Sequence, residues 1–174
     1  MRLAALGFVV LIGCPKPVPV LADAGSPALD AQAEASPPPA EQACRDDAGI
    51  WHLPNPAWTP GKVCTQGDPN FKEMRYSKRV AYCVRYVTAS EKDKVAKVYG
   101  ISKEDYKKYE FDHFIPLNAG GSDDQTNVWP QPIDEAREKD KLEIEIYNAL
   151  ADGTIDQDEA IAKIRAWRPA SCAK

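Results

Sequence analysis

The stretch FDHFIPLNAGGSDDQTNVWPQP, residues 111–132, constrains the possible fold more than any other part of this sequence. Residues 109–115 are rich in aromatic side chains and predict a β-strand, whereas residues 118–126 predict a polar loop around a double glycine. Residues 128–129 predict a second short strand, which the following prolines are expected to end. A long helix is predicted from Ile133. The local order of strand, loop, strand and helix predicts an α+β fold.

Periodicity and capping residues predict further elements on both sides of this stretch. Residues 79–88 are aromatic and β-branched with partial alternation, which indicates a strand. Ser90 is expected to cap a helix that ends at Gly100. Downstream, Gly153 is expected to end the long helix and Asp156 to cap the next one.

The chain opens with an apolar segment that is typical of an export signal. Residues 3–12 are apolar and too few to span a bilayer as a helix. The tetrapeptide LIGC, which ends at Cys14, resembles the lipobox of bacterial lipoproteins. We therefore expect residues 1–14 to be a signal peptide with a lipidated Cys14. An ordinary cleaved signal is the alternative.

Composition divides the remainder into a tether and one domain. Residues 15–43 are rich in proline and alanine and predict a disordered linker. Residues 44–174 are about the size of a single domain. Four of the five cysteines lie in it, and an even number in an exported domain predicts two disulfides. The sequence leaves three connectivities open. The cysteines concerned are Cys44, Cys64, Cys83 and Cys172.

Charge in this domain is nearly balanced overall but unevenly distributed. Residues 72–108 contain eleven Lys and Arg against five Asp and Glu, whereas residues 109–174 contain seven against fourteen. A basic segment beside an acidic one suits a polyanion held next to a metal ion. Two solvated helical faces explain the same distribution equally well.

The aspartate and histidine at the centre of the opening stretch suggest hydrolytic chemistry. Hydrolysis of a phosphodiester needs a base that activates water and a positive charge near the developing oxyanion. Asp112 and His113 are adjacent, and a bend in the strand could bring both side chains into one cleft. Asn127 can hydrogen-bond across the turn. Glu135 and Glu138 lie one turn apart on the following helix and could supply metal ligands.

Spaced residues across 109–143 resemble those of HNH endonucleases, most closely an exported bacterial branch with an Asn-Leu-Trp-Pro-Gln segment. The residues that carry the resemblance form three groups: Asp112, His113, Pro116, Leu117, Gly120 and Gly121; Asn127, Trp129, Pro130, Gln131 and Pro132; and Lys139, Asp140, Leu142 and Glu143.

The resemblance implies a small ββα-metal core with added helices. In this core Asp112 would bind a divalent metal, His113 would be the general base, and Asn127 would order the loop. The family's helix ligand, a histidine or asparagine, is absent from residues 134–139. Glu135 or Glu138 could substitute, and an all-oxygen site favours Mg²⁺ or Mn²⁺ over Zn²⁺.

The sequence therefore predicts a monomeric nuclease that cuts DNA or RNA without sequence specificity and contacts a membrane only through its lipid. The expected location is the bacterial cell envelope, with the outer membrane favoured. Five basic residues are candidates for phosphate contacts: Arg75, Lys78, Arg79, Arg85 and Arg137. One alternative is an inactive HNH-like lipoprotein that acts as an envelope interaction module. Another is a calcium sensor at residues 152–159, although a helix junction explains the same residues.

Overall fold

The computed structural model describes residues 44–172, so the predicted signal peptide, tether and lipidated Cys14 lie outside the described residues. The described part has an α+β fold with small two-stranded antiparallel sheets, which confirms the α+β part of the prediction. Its strands and α-helices, in chain order, are β1 (Phe71–Arg75), β2 (Val80–Cys83), α1 (Ala89–Tyr99), β3 (Tyr109–His113), β4 (Val128–Pro132), α2 (Ile133–Ala151) and α3 (Gln157–Ala166).

Strands β3 and β4 form an antiparallel pair that leads directly into α2. Tyr109 lies opposite Pro132 and His113 opposite Val128. The predicted end of the second strand at residue 129 is wrong, because Pro130 and Pro132 both belong to β4. These prolines are two residues apart and face the same way, and β4 pairs with β3 alone. Their missing N–H groups can therefore lie on the unpaired side of the strand.

Strands β1 and β2 form a hairpin that the sequence indicated only in part. The predicted strand over residues 79–88 is confined to Val80–Cys83, and its partner β1 was not predicted. Beyond Cys83 the chain leaves the pairing, and the Tyr86 N–H donates to the Asp123 carboxylate at 2.7 Å. A side chain thus provides the hydrogen bond that a neighbouring strand would otherwise make.

Helix α1 begins two residues earlier than predicted. Its N-cap is Thr88, whose hydroxyl accepts from the Glu91 N–H while the Glu91 carboxylate accepts from the Thr88 N–H. This reciprocal capping box satisfies two backbone donors, and Ser90 lies inside the helix. Gly100 ends the helix with a φ of 72°, as predicted.

Replacing Thr88 with alanine is expected to destabilise the domain by about 1 kcal/mol, because one backbone donor of α1 loses its partner. Urea denaturation followed by circular dichroism measures the change. Ser90→Ala is the matched control, and we expect it to change the free energy of unfolding by less than about 0.5 kcal/mol. The reverse order of effects would show that the cap is Ser90.

Helices α2 and α3 pack on the same apolar core, and the Asp156 carboxylate caps α3 by accepting from the Glu159 N–H at 2.9 Å. Asp156 therefore serves the helix junction that the sequence indicated. The core cluster beneath these helices contains Val80, Ile115, Ala119, Ile146, Leu150, Ala160 and Ile164.

Two disulfides join the four cysteines of the domain, as predicted. Cys44 pairs with Cys172 and Cys64 with Cys83. Disulfides are consistent with an oxidising, extracytoplasmic location. Within residues 44–172, no helix combines the length and the apolar character that crossing a bilayer requires.

Candidate functional site

Asn127 fixes the loop that separates β3 from β4. Its side-chain oxygen accepts from the Ile115 N–H at 2.9 Å, and its amide donates to the carbonyls of Ile115 at 2.9 Å and Ser122 at 2.7 Å. Gly121 permits this arrangement, because a Cβ there would lie 1.8 Å from the Ile115 carbonyl oxygen. The predicted loop-ordering residue is thus fully buried and has three partners.

The loop carries Asp123 onto the imidazole of His113. His113 Nε2 lies 2.8 Å from Asp123 Oδ1, and His113 Nδ1 lies 3.1 Å from a guanidinium nitrogen of Arg85. A guanidinium can only donate, so Nδ1 must carry the lone pair and Nε2 must carry the proton. The geometry therefore defines a neutral tautomer in which Nε2–H donates to the carboxylate and Nδ1 is the basic nitrogen.

Arg85 connects His113 with Asp112. Its guanidinium donates to the Phe111 carbonyl at 2.6 Å and lies 3.8 Å from Asp112 Oδ1. Although Asp112 and His113 are consecutive on β3, this single side chain reaches both residues. The Arg85 side chain is 44% exposed, whereas that of His113 is 3% exposed. Arg85 therefore forms the solvent-facing cover of the imidazole.

The other carboxylate oxygen of Asp112 contacts Lys139 of α2. Lys139 Nζ donates to Asp112 Oδ2 at 2.8 Å, to the His113 carbonyl at 2.8 Å and to the Glu143 carboxylate. Only 2% of Lys139 is exposed. Three N–H donors and three oxygen acceptors make this buried ammonium fully hydrogen-bonded.

The pKa values of these groups follow from burial and from their pairing. Burial alone would raise the pKa of Asp112, but the Lys139 ammonium outweighs it and the pKa of Asp112 is lowered. Burial alone would lower the pKa of Lys139, but the Asp112 and Glu143 carboxylates outweigh it and the pKa of Lys139 is raised. For Glu143, burial and the neighbouring Asp112 raise the pKa to about 6 despite the contact with Lys139.

The predicted helix ligands Glu135 and Glu138 have other surroundings. Glu135 Oε1 lies 2.6 Å from His52 Nδ1 and accepts from the Ser171 hydroxyl at 2.6 Å. Glu138 is exposed to solvent. Asp112 instead contacts the cations Lys139 and Arg85, so the residues present do not fit a divalent metal at Asp112. The structure does not bring the three predicted ligands together.

One group of three potential metal-ligating side chains occurs among residues 44–172, and it lies elsewhere. Sulfur and carboxylate atoms of Cys64, Asp68 and Cys83 are within 4.8 Å of one another. The two cysteines are bonded to each other, and a disulfide offers no thiolate to a metal.

Four of the five predicted phosphate-binding residues have partners other than His113 or are exposed to solvent. Arg75 donates to Glu73 at 2.8 Å and stacks on Tyr82. Arg137 lies 3.4 Å from Asp134 on the surface of α2. Lys78 and Arg79 are exposed in the turn between β1 and β2, where Arg79 has a φ of 57°. Arg85 is the predicted phosphate-binding residue that contacts the candidate base.

The cleft on the far side of Asp123 has an acidic lining that is unsuited to a phosphate. It has a volume of about 370 Å³, and its carboxylates belong to Asp68, Glu91, Asp123 and Asp124, with Lys62 as its one cation. Lys62 lies 3.2 Å from both Asp68 and Asp124, so its charge is already paired. A polyanion would therefore approach His113 from the Arg85 side.

Sequence reasoning did not assign roles to Asp123, Lys139 or Glu143. Lys139 and Glu143 belong to the HNH-like pattern, and their spacing of four residues places them on one face of α2, which was an available signal. Asp123 lies in a polar loop, where nothing in the local sequence distinguishes it from Asp124. Its role depends on the loop conformation that Asn127 imposes.

Comparisons with models of protein families, with characterised proteins and with solved structures find no match to this chain.

Proposed function

We propose that this protein is an HNH-type endonuclease that hydrolyses phosphodiester bonds of DNA or RNA outside the cytoplasm. The observation that carries the proposal is the line of contacts from Asp123 through His113 to Arg85. It supplies an imidazole with an available lone pair, a carboxylate that orients it, and a guanidinium suited to phosphate. The sequence resemblance across residues 109–143 supports the same assignment.

Arg85 is the residue that has to move for catalysis. In the described conformation its guanidinium lies against Nδ1 of His113, the nitrogen that must accept a proton. A phosphate oxygen is a better partner for a guanidinium than a neutral imidazole, because the bond is charge-assisted on both sides. Binding of the phosphodiester would turn Arg85 toward the phosphate and free Nδ1 for the attacking water.

The chemical step then uses the His113 and Asp123 pair. The oxygen of water forms a bond to phosphorus and its proton passes to Nδ1. As the bond from phosphorus to the leaving oxygen breaks on the opposite side, that oxygen takes a proton from solvent water, and the imidazolium then releases its proton to solvent. Asp123 stabilises the imidazolium through Nε2–H, as a carboxylate behind a catalytic histidine does in other hydrolases. Arg85 stabilises the negative charge on the phosphate oxygens.

We further propose that a lipid on Cys14 tethers the enzyme to the bacterial envelope, at the outer membrane. The LIGC segment and the proline-rich residues 15–43 support a lipid anchor with a spacer. The nearly balanced charge of residues 44–174 supports modest, salt-sensitive binding without sequence specificity.

Removing the imidazole should reduce nicking of supercoiled plasmid by about a hundredfold, the usual contribution of a positioned general base. The assay compares wild type, His113→Ala and the control His52→Ala, which removes the second histidine of the chain. Circular dichroism confirms that each variant is folded. Equal nicking by wild type and His113→Ala would exclude His113 as the base.

A non-catalytic envelope module is the second candidate, and the burial of His113 favours it. The imidazole is 2% exposed, and Asp112 is held by an internal ion pair. Folded wild-type protein that cuts neither plasmid, single-stranded DNA nor RNA would support this candidate over the enzyme.

A further inference from the structure

Lys139 is surrounded by the kind of ligands that a hard divalent cation selects. Its ammonium contacts one oxygen each from the Asp112 carboxylate, the His113 carbonyl and the Glu143 carboxylate. Carboxylate and carbonyl oxygens are the ligands of Mg²⁺ and Ca²⁺ in proteins. The positive charge at the contact between β3 and α2 is therefore supplied by the side chain of Lys139.

The distances of two of these oxygens suit an ammonium better than a small metal ion. Asp112 Oδ2 and the His113 carbonyl oxygen each lie 2.8 Å from Nζ. Mg²⁺ would require oxygens at about 2.0–2.1 Å, and Ca²⁺ at about 2.3–2.6 Å. Because Lys139 and Glu143 are on the same face of α2, four residues apart, the helix itself holds both the cation and one of its ligands.

The four charged groups that contact one another at Lys139 balance in number, although the Glu110 and Asp140 carboxylates lie near them. Asp112 and Glu143 contribute two negative charges, and Lys139 and Arg85 contribute two positive charges. A divalent ion beside Asp112 would have to displace the ammonium or coexist with it at close range in a buried site.

We propose that the Lys139 ammonium is the resident cation of this site and takes the place that a divalent metal holds in proteins of the HNH type. The site at Asp112 then has no affinity for Mg²⁺ or Mn²⁺ as long as Lys139 is present. The inference concerns the cation alone, and so it holds for an active nuclease and for a non-catalytic module alike.

Titration of the folded protein with Mn²⁺, followed by electron paramagnetic resonance, tests the proposal. We expect wild type and Asp112→Asn to give superimposable titrations. Lys139→Ala should gain one Mn²⁺ site with an affinity at least tenfold higher than any site of wild type. Adding Asp112→Asn to Lys139→Ala should remove that site. A wild-type Mn²⁺ site that Asp112→Asn abolishes would overturn the proposal.

A second measurement needs no variant, in case Lys139→Ala does not fold. In a ¹H–¹⁵N spectrum of wild type, paramagnetic Mn²⁺ broadens amide signals close to where it binds. We expect the signals of Asp112, His113 and Lys139 to broaden no more than those of α3. Selective broadening of the three at sub-stoichiometric Mn²⁺ would contradict a resident ammonium.

Measuring plasmid cutting tests this proposal separately from the assignment as a nuclease. If wild type cuts plasmid, we expect the rate in EDTA to stay within twofold of the rate in Mg²⁺. Cutting that EDTA abolishes, together with an Asp112-dependent Mn²⁺ site, would refute the resident cation and retain the nuclease. Absence of cutting, with no Mn²⁺ site, would retain the resident cation and refute the nuclease.

Discussion

Replacing Lys139 with methionine is expected to destabilise the domain by about 3–5 kcal/mol, the usual cost of removing one partner from a buried ion pair. Methionine keeps most of the apolar stem, so the loss comes mainly from the charge. Without the ammonium, the partly buried carboxylates of Asp112 and Glu143 face each other across the β3 and α2 contact, and Arg85 remains 3.8 Å from Asp112. Urea denaturation measures the change in unfolding free energy.

The pH dependence of this loss distinguishes lost charge from lost packing. Burial raises the pKa of Glu143 to about 6 even in wild type. Removing the Lys139 ammonium removes the interaction that lowers this pKa, so burial and the neighbouring Asp112 raise it further. A carboxyl whose pKa is raised on folding binds more protons in the native state, and stability falls as pH rises through that pKa. The deficit of Lys139→Met should therefore be smaller at pH 4.5 than at pH 8.

Lys141→Met is the matched control, because Lys141 is an exposed lysine on the same helix. We expect this substitution to change stability by less than about 0.5 kcal/mol at either pH. A pH-independent loss at Lys139 equal to that of a simple cavity would show that the lysine stem, and not its charge, stabilises the β3 and α2 contact.

Local sequence signals were sufficient for the helical part of the fold. Gly100 ends α1 and Asp156 caps α3 because these are properties of the residues at the termini themselves. Threonine and serine are both acceptable N-cap residues. Thr88 caps α1 because Glu91 lies three residues after it and completes a capping box. That spacing was readable from the sequence.

The strands were less predictable because their extent depends on what lies beside them. Strand β2 stops at Cys83, and the Tyr86 N–H beyond it donates to Asp123, about forty residues away in sequence. Strand β4 continues through Pro132, and no strand within residues 44–172 pairs with its other side. Both outcomes are consequences of tertiary structure, and neither is a property of the segment alone.

The candidate site likewise contains residues that local sequence identified and residues that only the tertiary structure identifies. Asp112, His113 and Asn127 were identified because they belong to one spaced pattern in a short segment. The contact of Asp123 with His113 depends on the loop conformation that Asn127 fixes, so it could not be predicted from the sequence. Arg85 was one basic residue among eleven in its segment, and its contact with His113 is what separates it from the others. The predicted helix ligands Glu135 and Glu138 rested on helix spacing alone, which cannot tell a metal ligand from a partner of His52.

Replacing both Cys44 and Cys172 with alanine is expected to cost about 5 kcal/mol, because their disulfide closes a loop of 128 residues and removes much of the entropy of the unfolded chain. The half-buried position of both cysteines makes the packing contribution small. Urea denaturation of the double variant measures the loss. Domains of this size have a total stability of about 5–15 kcal/mol, so the bond accounts for a large share of it.

Two non-covalent contacts near the same ends decide whether the loss is that large. Ser171 and His52 both bind Glu135 at the start of α2, at 2.6 Å each, and so hold both chain ends of the domain without the disulfide. A loss below about 1 kcal/mol would mean that these contacts make the bond redundant in the folded domain. A loss near the expected value means that a reducing compartment would remove a large share of the stability of the domain.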